Sequence, residues 1–264
     1  MKIFVRELRR GVKSFAIWTA VNLFLCIYTI SVYTPFKGDV AELLDVKLPA
    51  VVQTAMGMSG LDFGNPIGFF GMIYSYVLLC AGLFSAMKFA DLMAREISDG
   101  TSEYILALPV SRGSVLLQKL AAGFVLVTVH VAICFAAAGL LLPLVTDDPW
   151  SRRMLVLLAI GAWIASLLFG AITFFLSSLL PKAKAMVSVS VAVVAGLYIL
   201  QIVFAMTDRV PVLAYLTPFG CFEASQILAD GGFNLWCLFG AILALLAFFA
   251  AGFAVYQKRD IPSV

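Results

Sequence analysis

Few side chains in this sequence have both the type and the spacing that catalysis or metal binding needs. His130 is the only histidine, and one imidazole without nearby carboxylates forms neither a catalytic dyad nor a metal site. The five cysteines show no Cys-x-x-Cys pair and no zinc spacing, which indicates small buried residues. We therefore expect that the chain is not an enzyme. His130 is a candidate polar pathway residue, although a neutral imidazole bonded to a neighbouring helix is the more common arrangement.

Energy-coupling chemistry is also missing from the sequence. No Gly-x-x-x-x-Gly-Lys-[Ser/Thr] loop occurs, so the chain has no loop that would cradle nucleotide phosphates. No Asp or Glu lies in the middle of a long apolar run, which disfavours an ion-coupled carrier, because such carriers need carboxylates at the membrane midplane. Any ATP-driven role must therefore use an ATPase on a separate chain.

The composition predicts an integral membrane protein. The 264 residues are 62% hydrophobic and 12% charged, against about 25% charged in soluble domains. Six continuous apolar runs approach the roughly 20 residues that cross a hydrocarbon core, and their lack of alternation excludes a barrel. The predicted fold class is an all-α integral membrane protein. It forms one transmembrane domain over residues 1–264, with spans at about 15–32, 67–89, 115–142, 154–180, 186–206 and 235–255.

The distribution of positive charge predicts the orientation of these spans. With a cytoplasmic amino terminus, 13 of the 18 Lys and Arg residues fall in cytoplasmic segments and five fall outside. Both termini are then cytoplasmic. The net charge of +3 follows from this topology and indicates no nucleic-acid partner. The first apolar run lacks an Ala-x-Ala cleavage site, so we expect a retained span.

The segments outside the spans carry patterns of their own. The first fifteen residues predict an amphipathic elbow helix in the inner headgroup layer, although their cations also suit simple orientation. The first outer loop, residues 34–66, predicts an acidic amphipathic helix. The last outer loop, residues 207–234, is apolar enough to dip back onto the bundle. The elbow prediction rests on apolar residues at three- and four-residue spacings: Ile3, Phe4, Leu8, Val12 and Phe15.

Span five contains a ladder of small residues at intervals of four. Ser188, Ala192 and Gly196 allow the backbone of a neighbouring helix to approach closely. The ladder predicts either helix packing within the chain or a dimer contact.

The segment between spans two and three has the most detailed signals for local structure. A helix that continues past span two ends at Asp99-Gly100, and Thr101 can cap a short second helix with Glu103 in its first turn. Pro109 ends that helix after about two turns. From composition alone, this helix either fills a groove on a partner or rests on lipid. The candidate functional residues of the segment are Arg95, Glu96, Gly100, Thr101, Glu103, Tyr104, Leu106, Pro109 and Arg112.

The same segment resembles the permease subunits of type 2 ATP-binding-cassette exporters. Their pattern is Glu...Gly-Thr-x-Glu...Leu-x-x-Pro-Val-Ser-Arg...Lys. It is matched here by Glu96, Gly100, Thr101, Glu103, Leu106, Pro109, Val110, Ser111, Arg112 and Lys119.

The resemblance implies an exporter permease in the plasma (inner) membrane of a bacterium or archaeon. Such a permease pairs with a second copy of itself or a similar permease, and with two ATPase subunits that hold ATP and Mg. The segment 95–112 would be the coupling helix that docks on the ATPase, and span five would lie near the dimer contact.

Two other classes of function stay open at this point. A secondary carrier would respond to ion gradients without nucleotide, and a membrane sensor or assembly module would bind a partner but move no solute. The 22 Phe and nine Met residues suit a hydrophobic or amphipathic substrate such as a peptide, lipid or antibiotic, and they suit lipid-facing surfaces equally.

Overall fold

The protein is a bundle of long helices. The computed structural model describes residues 2–36, 53, 60–98, 112–180, 183–205 and 215–258, and no residue in these ranges belongs to a strand. In chain order the helices are α1 (Lys2–Phe36), α2 (Pro66–Ser98), α3 (Arg112–Val145), α4 (Arg152–Leu179), α5 (Ala183–Ala205), α6 (Pro218–Cys221), α7 (Ala224–Asp230) and α8 (Leu235–Lys258).

The prediction of six membrane-spanning helices is confirmed. Helices α1 to α5 and α8 are long and apolar enough to cross a bilayer, so this is a multi-pass membrane protein. Several helices are longer than the predicted spans. The 34 residues of α3 rise about 51 Å, which exceeds the hydrocarbon thickness of about 30 Å. The ends of α3 therefore extend beyond the hydrocarbon unless the helix is strongly tilted.

The residues of the predicted amino-terminal elbow form the first turns of α1, and their position in the headgroup layer stays a prediction. Helix α1 is continuous over 35 residues, and Val12, which the elbow prediction placed on the apolar face, is 52% exposed. The side of α1 that packs on the bundle is a single stripe along the helix. Because this stripe is continuous, the first turns pack on the bundle together with the rest of α1. The stripe includes Glu7, Gly11, Thr19, Asn22 and Cys26.

Helices α2 and α4 form the centre of the bundle and run in the same direction. A Cβ atom placed on Gly170 would lie 2.5 Å from Cδ2 of Phe89, and one placed on Gly82 would lie 2.8 Å from Cδ2 of Phe169. Each helix therefore places a phenylalanine ring directly on a glycine of the other. We call these four residues the glycine–phenylalanine interlock. Beside it, the Thr173 hydroxyl donates to the carbonyl of Ala86 at 3.1 Å.

Helix α1 lies parallel to α3. Hydrogen bonds hold the carboxyl-terminal end of α1 beside the connection between α3 and α4. The Thr34 hydroxyl donates to the carbonyl of Val145 at 2.9 Å. The Tyr33 hydroxyl lies 2.8 Å from the carbonyl of Gly64 and 2.9 Å from Oδ2 of Asp148. These contacts join α1 to the start of α2 and to the end of α3.

The connection before α8 packs back on the bundle, as the sequence predicts. The Thr217 side chain accepts from the backbone N–H of Gly220 and caps α6. Phe219 is buried against Phe169, with ring centroids 4.9 Å apart. Burial raises the pKa of Glu223, the residue before α7. The acidic helix predicted for the first outer loop involves residues 37–52 and 54–59, which lie outside the described residues.

The remaining two spanning helices lie at the periphery. The most apolar windows of α5 and α8 are each 11% buried, whereas those of α2 and α4 are each 61% buried. Helices α5 and α8 therefore present most of their surface to lipid or to another protein.

The interlock predicts opposite effects for two glycine substitutions. Gly170→Ala should lower the melting temperature in detergent, because the methyl group forces Phe89 away; overpacking of this kind costs about 1–3 kcal/mol. Gly240→Ala is the matched control, because no heavy atom lies within 4 Å of its Cβ position. The control should keep or raise the melting temperature. Equal melting temperatures for the two variants would contradict the interlock.

Candidate functional site

The residues of the predicted coupling segment lie at and between the ends of α2 and α3. Arg95 and Glu96 fall in the last turns of α2, and Arg112 is the first residue of α3. The short helix predicted between them stays a prediction, as do the roles of its residues. The candidate residues Gly100, Thr101, Glu103, Tyr104, Leu106 and Pro109 lie outside the described residues.

The two helix ends that flank this segment are joined to each other inside the bundle. The Lys119 ammonium donates to the carbonyl of Leu92 at 3.1 Å, and Lys119 is buried. One turn further along α3, the Cβ position of Gly123 lies 3.2 Å from the ring of Phe89 and 3.3 Å from Leu92. The end of α2 and the start of α3 are therefore held together by a charge-assisted hydrogen bond and by close packing.

Sequence reasoning missed the burial of two lysines. It counted Lys88 and Lys119 as cytoplasmic cations, but each is only 4% exposed. The Lys88 ammonium lies 2.9 Å from the Cβ position of Gly11, so the missing side chain of this glycine makes room for it. The sequence places Lys88 on the same face of α2 as Ala81 and Ser85, at intervals of four and three, but this spacing does not show what covers the face.

His130 is fully buried at the contact between α1 and α3. Its Nδ1 lies 2.9 Å from the Thr19 hydroxyl, and its Nε2 lies 2.9 Å from Nδ2 of Asn22. Because an amide nitrogen donates, Nε2 accepts, and a neutral ring then donates from Nδ1 to Thr19. The rings of Phe84 and Phe15 pack at 4.9 and 6.4 Å from the imidazole, centroid to centroid. This arrangement joins two helices, and the pathway role of His130 stays a prediction.

The ladder of small residues lies on an exposed side of α5. Ser188, Ala192 and Gly196 are exposed, and no heavy atom of the described chain lies within 4 Å of the Cβ position of Gly196. The opposite side of α5 carries the buried residues Val194 and Gln201. The ladder therefore faces away from its own bundle, and a dimer contact there stays a prediction.

The titratable side chains of the described residues form no metal-binding group, and one thiol has a raised pKa. No group of three or more His, Cys, Asp and Glu side chains in the described ranges is arranged to hold a metal ion. At α6, burial and the neighbouring Cys237 raise the pKa of the Cys221 thiol to about 12. The thiolate is the reactive form, so Cys221 is a weak nucleophile at neutral pH.

One family of known proteins matches the chain. The family described as ABC-2 family transporter protein matches residues 1–261, which include the eight helices that the structure describes and the segment between α2 and α3. No curated protein matches the chain.

The contacts of His130 predict a measurable coupling between α1 and α3. In a double-mutant cycle, Asn22→Leu and His130→Phe should show an interaction free energy above the average of about 0.6 kcal/mol for hydrogen bonds between membrane helices, and at most about 1.7 kcal/mol, because the pair is fully buried. The free energy of unfolding in mixed micelles is the measurement.

The matched control for this cycle is Thr29→Val. The Thr29 hydroxyl bonds to the carbonyl of Leu25 in its own helix, so this substitution should add to His130→Phe within about 0.5 kcal/mol. An Asn22–His130 coupling as small as the control would show that the imidazole does not join the helices.

Proposed function

The chain belongs to the ABC-2 transporter family, and we propose that it is the permease subunit of an ATP-driven exporter. It forms the translocation path and carries out no covalent chemistry. ATP and Mg bind to two separate ATPase subunits, in keeping with the absence of a phosphate-binding loop from the sequence.

The observation that carries this proposal is the contact of Lys119 with the carbonyl of Leu92. It joins the two helix ends that flank residues 99–111, so a force on this segment acts on α2 and α3 together. From α2 the displacement passes to α4 through the glycine–phenylalanine interlock, and from α3 it passes to α1 through His130. A partner that binds the segment differently in two states therefore shifts the bundle between two arrangements.

Three residues of the segment are assigned to the transmission of this force. Leu106 supplies an apolar side chain for a groove on the ATPase. Glu103 stabilises the positive end of the coupling helix, and Arg112 connects the segment to α3. The family match includes all three positions.

The charge pattern supports a cytoplasmic position for this segment. With 13 of the 18 Lys and Arg residues on the same side as the amino terminus, the positive-inside rule orients both termini and the segment toward the cytoplasm. That compartment supplies ATP. We assign the protein to the plasma (inner) membrane of a bacterium or archaeon.

A second permease copy is expected at the exposed ladder of α5. Small residues at intervals of four allow two helices to approach closely, and lipid gains little from contact with such a surface. Because the ladder faces away from its own bundle, its partner is a second copy of this chain or a similar permease. Two copies present two coupling segments, one for each ATPase.

Leu106→Asp tests the docking of the ATPase. The variant should insert normally, whereas the ATPase that co-purifies with it and the substrate-stimulated hydrolysis should fall by about tenfold or more, because a carboxylate is placed in an apolar groove. Leu144→Asp is the control, since Leu144 is 79% exposed in the last turn of α3, at the opposite end from the segment. Retention of both ATPase and hydrolysis by Leu106→Asp would refute the docking role. Transport driven by an ion gradient without nucleotide would favour a carrier.

Ala192→Cys tests the dimer contact. A twofold interface brings residues near its axis against their own copies, so oxidation in native membranes should yield a crosslinked dimer. Leu246→Cys, on an exposed face of α8, is the matched control and should stay monomeric under the same conditions. Crosslinking through position 246 but not through 192 would move the interface away from the ladder.

A further inference from the structure

A cavity of about 640 Å³ lies between α4, α5 and α8, beneath the turn that carries α6. Its walls include Leu168 and Ile172 from α4, Leu197 from α5, and Ala244 and Phe248 from α8. None of the lining residues that the structure describes carries a charge. The volume falls within the range of about 300–1,000 Å³ that is usual for ligand sites.

Three polar groups at the edge of the cavity already have partners within the protein. The Thr217 hydroxyl bonds to the side chain of Gln201, and the Cys221 thiol donates to the carbonyl of Tyr215 at 2.9 Å. Oδ1 of Asn234 accepts from the backbone N–H of Trp236 at 3.0 Å. A polar solute or a chain of waters would find few free partners here, whereas hydrocarbon needs none.

The position of the cavity suits one leaflet of a bilayer. Its α8 wall extends from Trp236 to Phe248, a rise of about 18 Å, compared with about 15 Å for half of a hydrocarbon core. Trp236 is 86% exposed at the polar end, where amphipathic aromatic side chains contact lipid headgroups. The wall becomes purely apolar toward Phe248.

A second copy of the chain is a poorer occupant than lipid. The α5 ladder of Ser188, Ala192 and Gly196 lies on the side of the helix opposite the buried Val194, whereas Leu197, one turn after Val194, lines the cavity. A partner seated on the ladder therefore leaves the cavity open to the bilayer.

We propose that this cavity binds one acyl chain of a membrane phospholipid, with the headgroup beside Trp236. The bound chain fills the space between α5 and α8, the two spanning helices whose apolar windows are the least buried, and so completes the packing around α4. The site takes a resident lipid of the bilayer, and it does not depend on the proposed transport function.

Gly240 provides a substitution that fills the cavity without disturbing the fold. It lines the cavity, and no heavy atom lies within 4 Å of its Cβ position. A leucine side chain at this position occupies space that the acyl chain needs. Ala244→Leu, one turn further along α8, fills the same space and serves as a second variant.

The test uses the full-length protein in nanodiscs that contain a phosphatidylcholine with a photoactivatable diazirine midway along one acyl chain. After illumination, peptide mass spectrometry should locate the label mainly on cavity residues such as Ile172, Ala241 and Ala244. Gly240→Leu should reduce that labelling by about tenfold, because leucine excludes at least two methylene groups of the chain. Leu243→Phe adds bulk on an exposed face of α8 outside the cavity and should leave the labelling unchanged.

Three outcomes would overturn the proposal. Equal labelling of the cavity and of exposed positions such as Leu243 and Leu246 would show annular lipid only. Unchanged labelling in both Gly240→Leu and Ala244→Leu, each folded by gel filtration and melting temperature, would show that the chain does not enter the cavity. Crosslinking of Gly240→Cys to a second copy would show that protein covers it.

Discussion

The close packing of α2 on α4 is the constraint on which the rest of the bundle depends. In a bilayer, an apolar side chain gains little free energy when it leaves lipid for a neighbouring helix, so close van der Waals contact has to hold helices together. Glycine at positions 82 and 170 allows a phenylalanine ring to lie directly on the backbone of the other helix. Helix α8 packs on α4 through the same kind of contact between a glycine and a phenylalanine ring: the Cβ position of Gly252 lies 2.5 Å from the ring of Phe174. Helices α1 and α5 then pack on α2.

Buried polar side chains set the axial register of the helices. Apolar packing alone would allow one helix to slide along another. His130 bonds to α1 from the middle of α3, and Lys119 bonds to α2 from near the start of α3. Hydrocarbon contains no water to replace a lost partner, so an axial slip of α3 would leave these polar groups unpaired. Helix α3 therefore has a defined position relative to α1 and α2. Residues 99–111 connect two helices that are already held together at the level of Leu92, which suits a segment that transmits force.

The sequence predicted most of the architecture and much less of the packing. The six spans could be predicted because a bilayer requires a minimum helix length and hydropathy of any chain that crosses it. The apolar character of residues 215–234 was enough to predict that they pack back on the bundle. The elbow stays a prediction, because an amphipathic pattern shows that one side of a helix is apolar but not whether lipid or protein covers it. The burial of Lys88 has the same origin: it depends on Gly11, which is distant in the sequence. The coupling residues came from a family pattern, and no pattern in a single sequence indicated which phenylalanine would meet which glycine.

The central helices α2 and α4 and the peripheral helices α5 and α8 differ in how readily their contacts can change. A transport cycle needs some surfaces that change partners at low free energy and others that move as a unit. Helices α2 and α4 are interlocked and largely buried, so a force at the end of α2 moves both without breaking their contact. Helices α5 and α8 expose most of their apolar surface to lipid or to another protein, and those outward contacts can exchange while α8 stays packed on α4 at Gly252 and α5 stays packed on α2. The apolar cavity lies where α5 and α8 both border α4. An acyl chain bound there, as we propose, would contact all three helices and add a link between the two peripheral helices and the core.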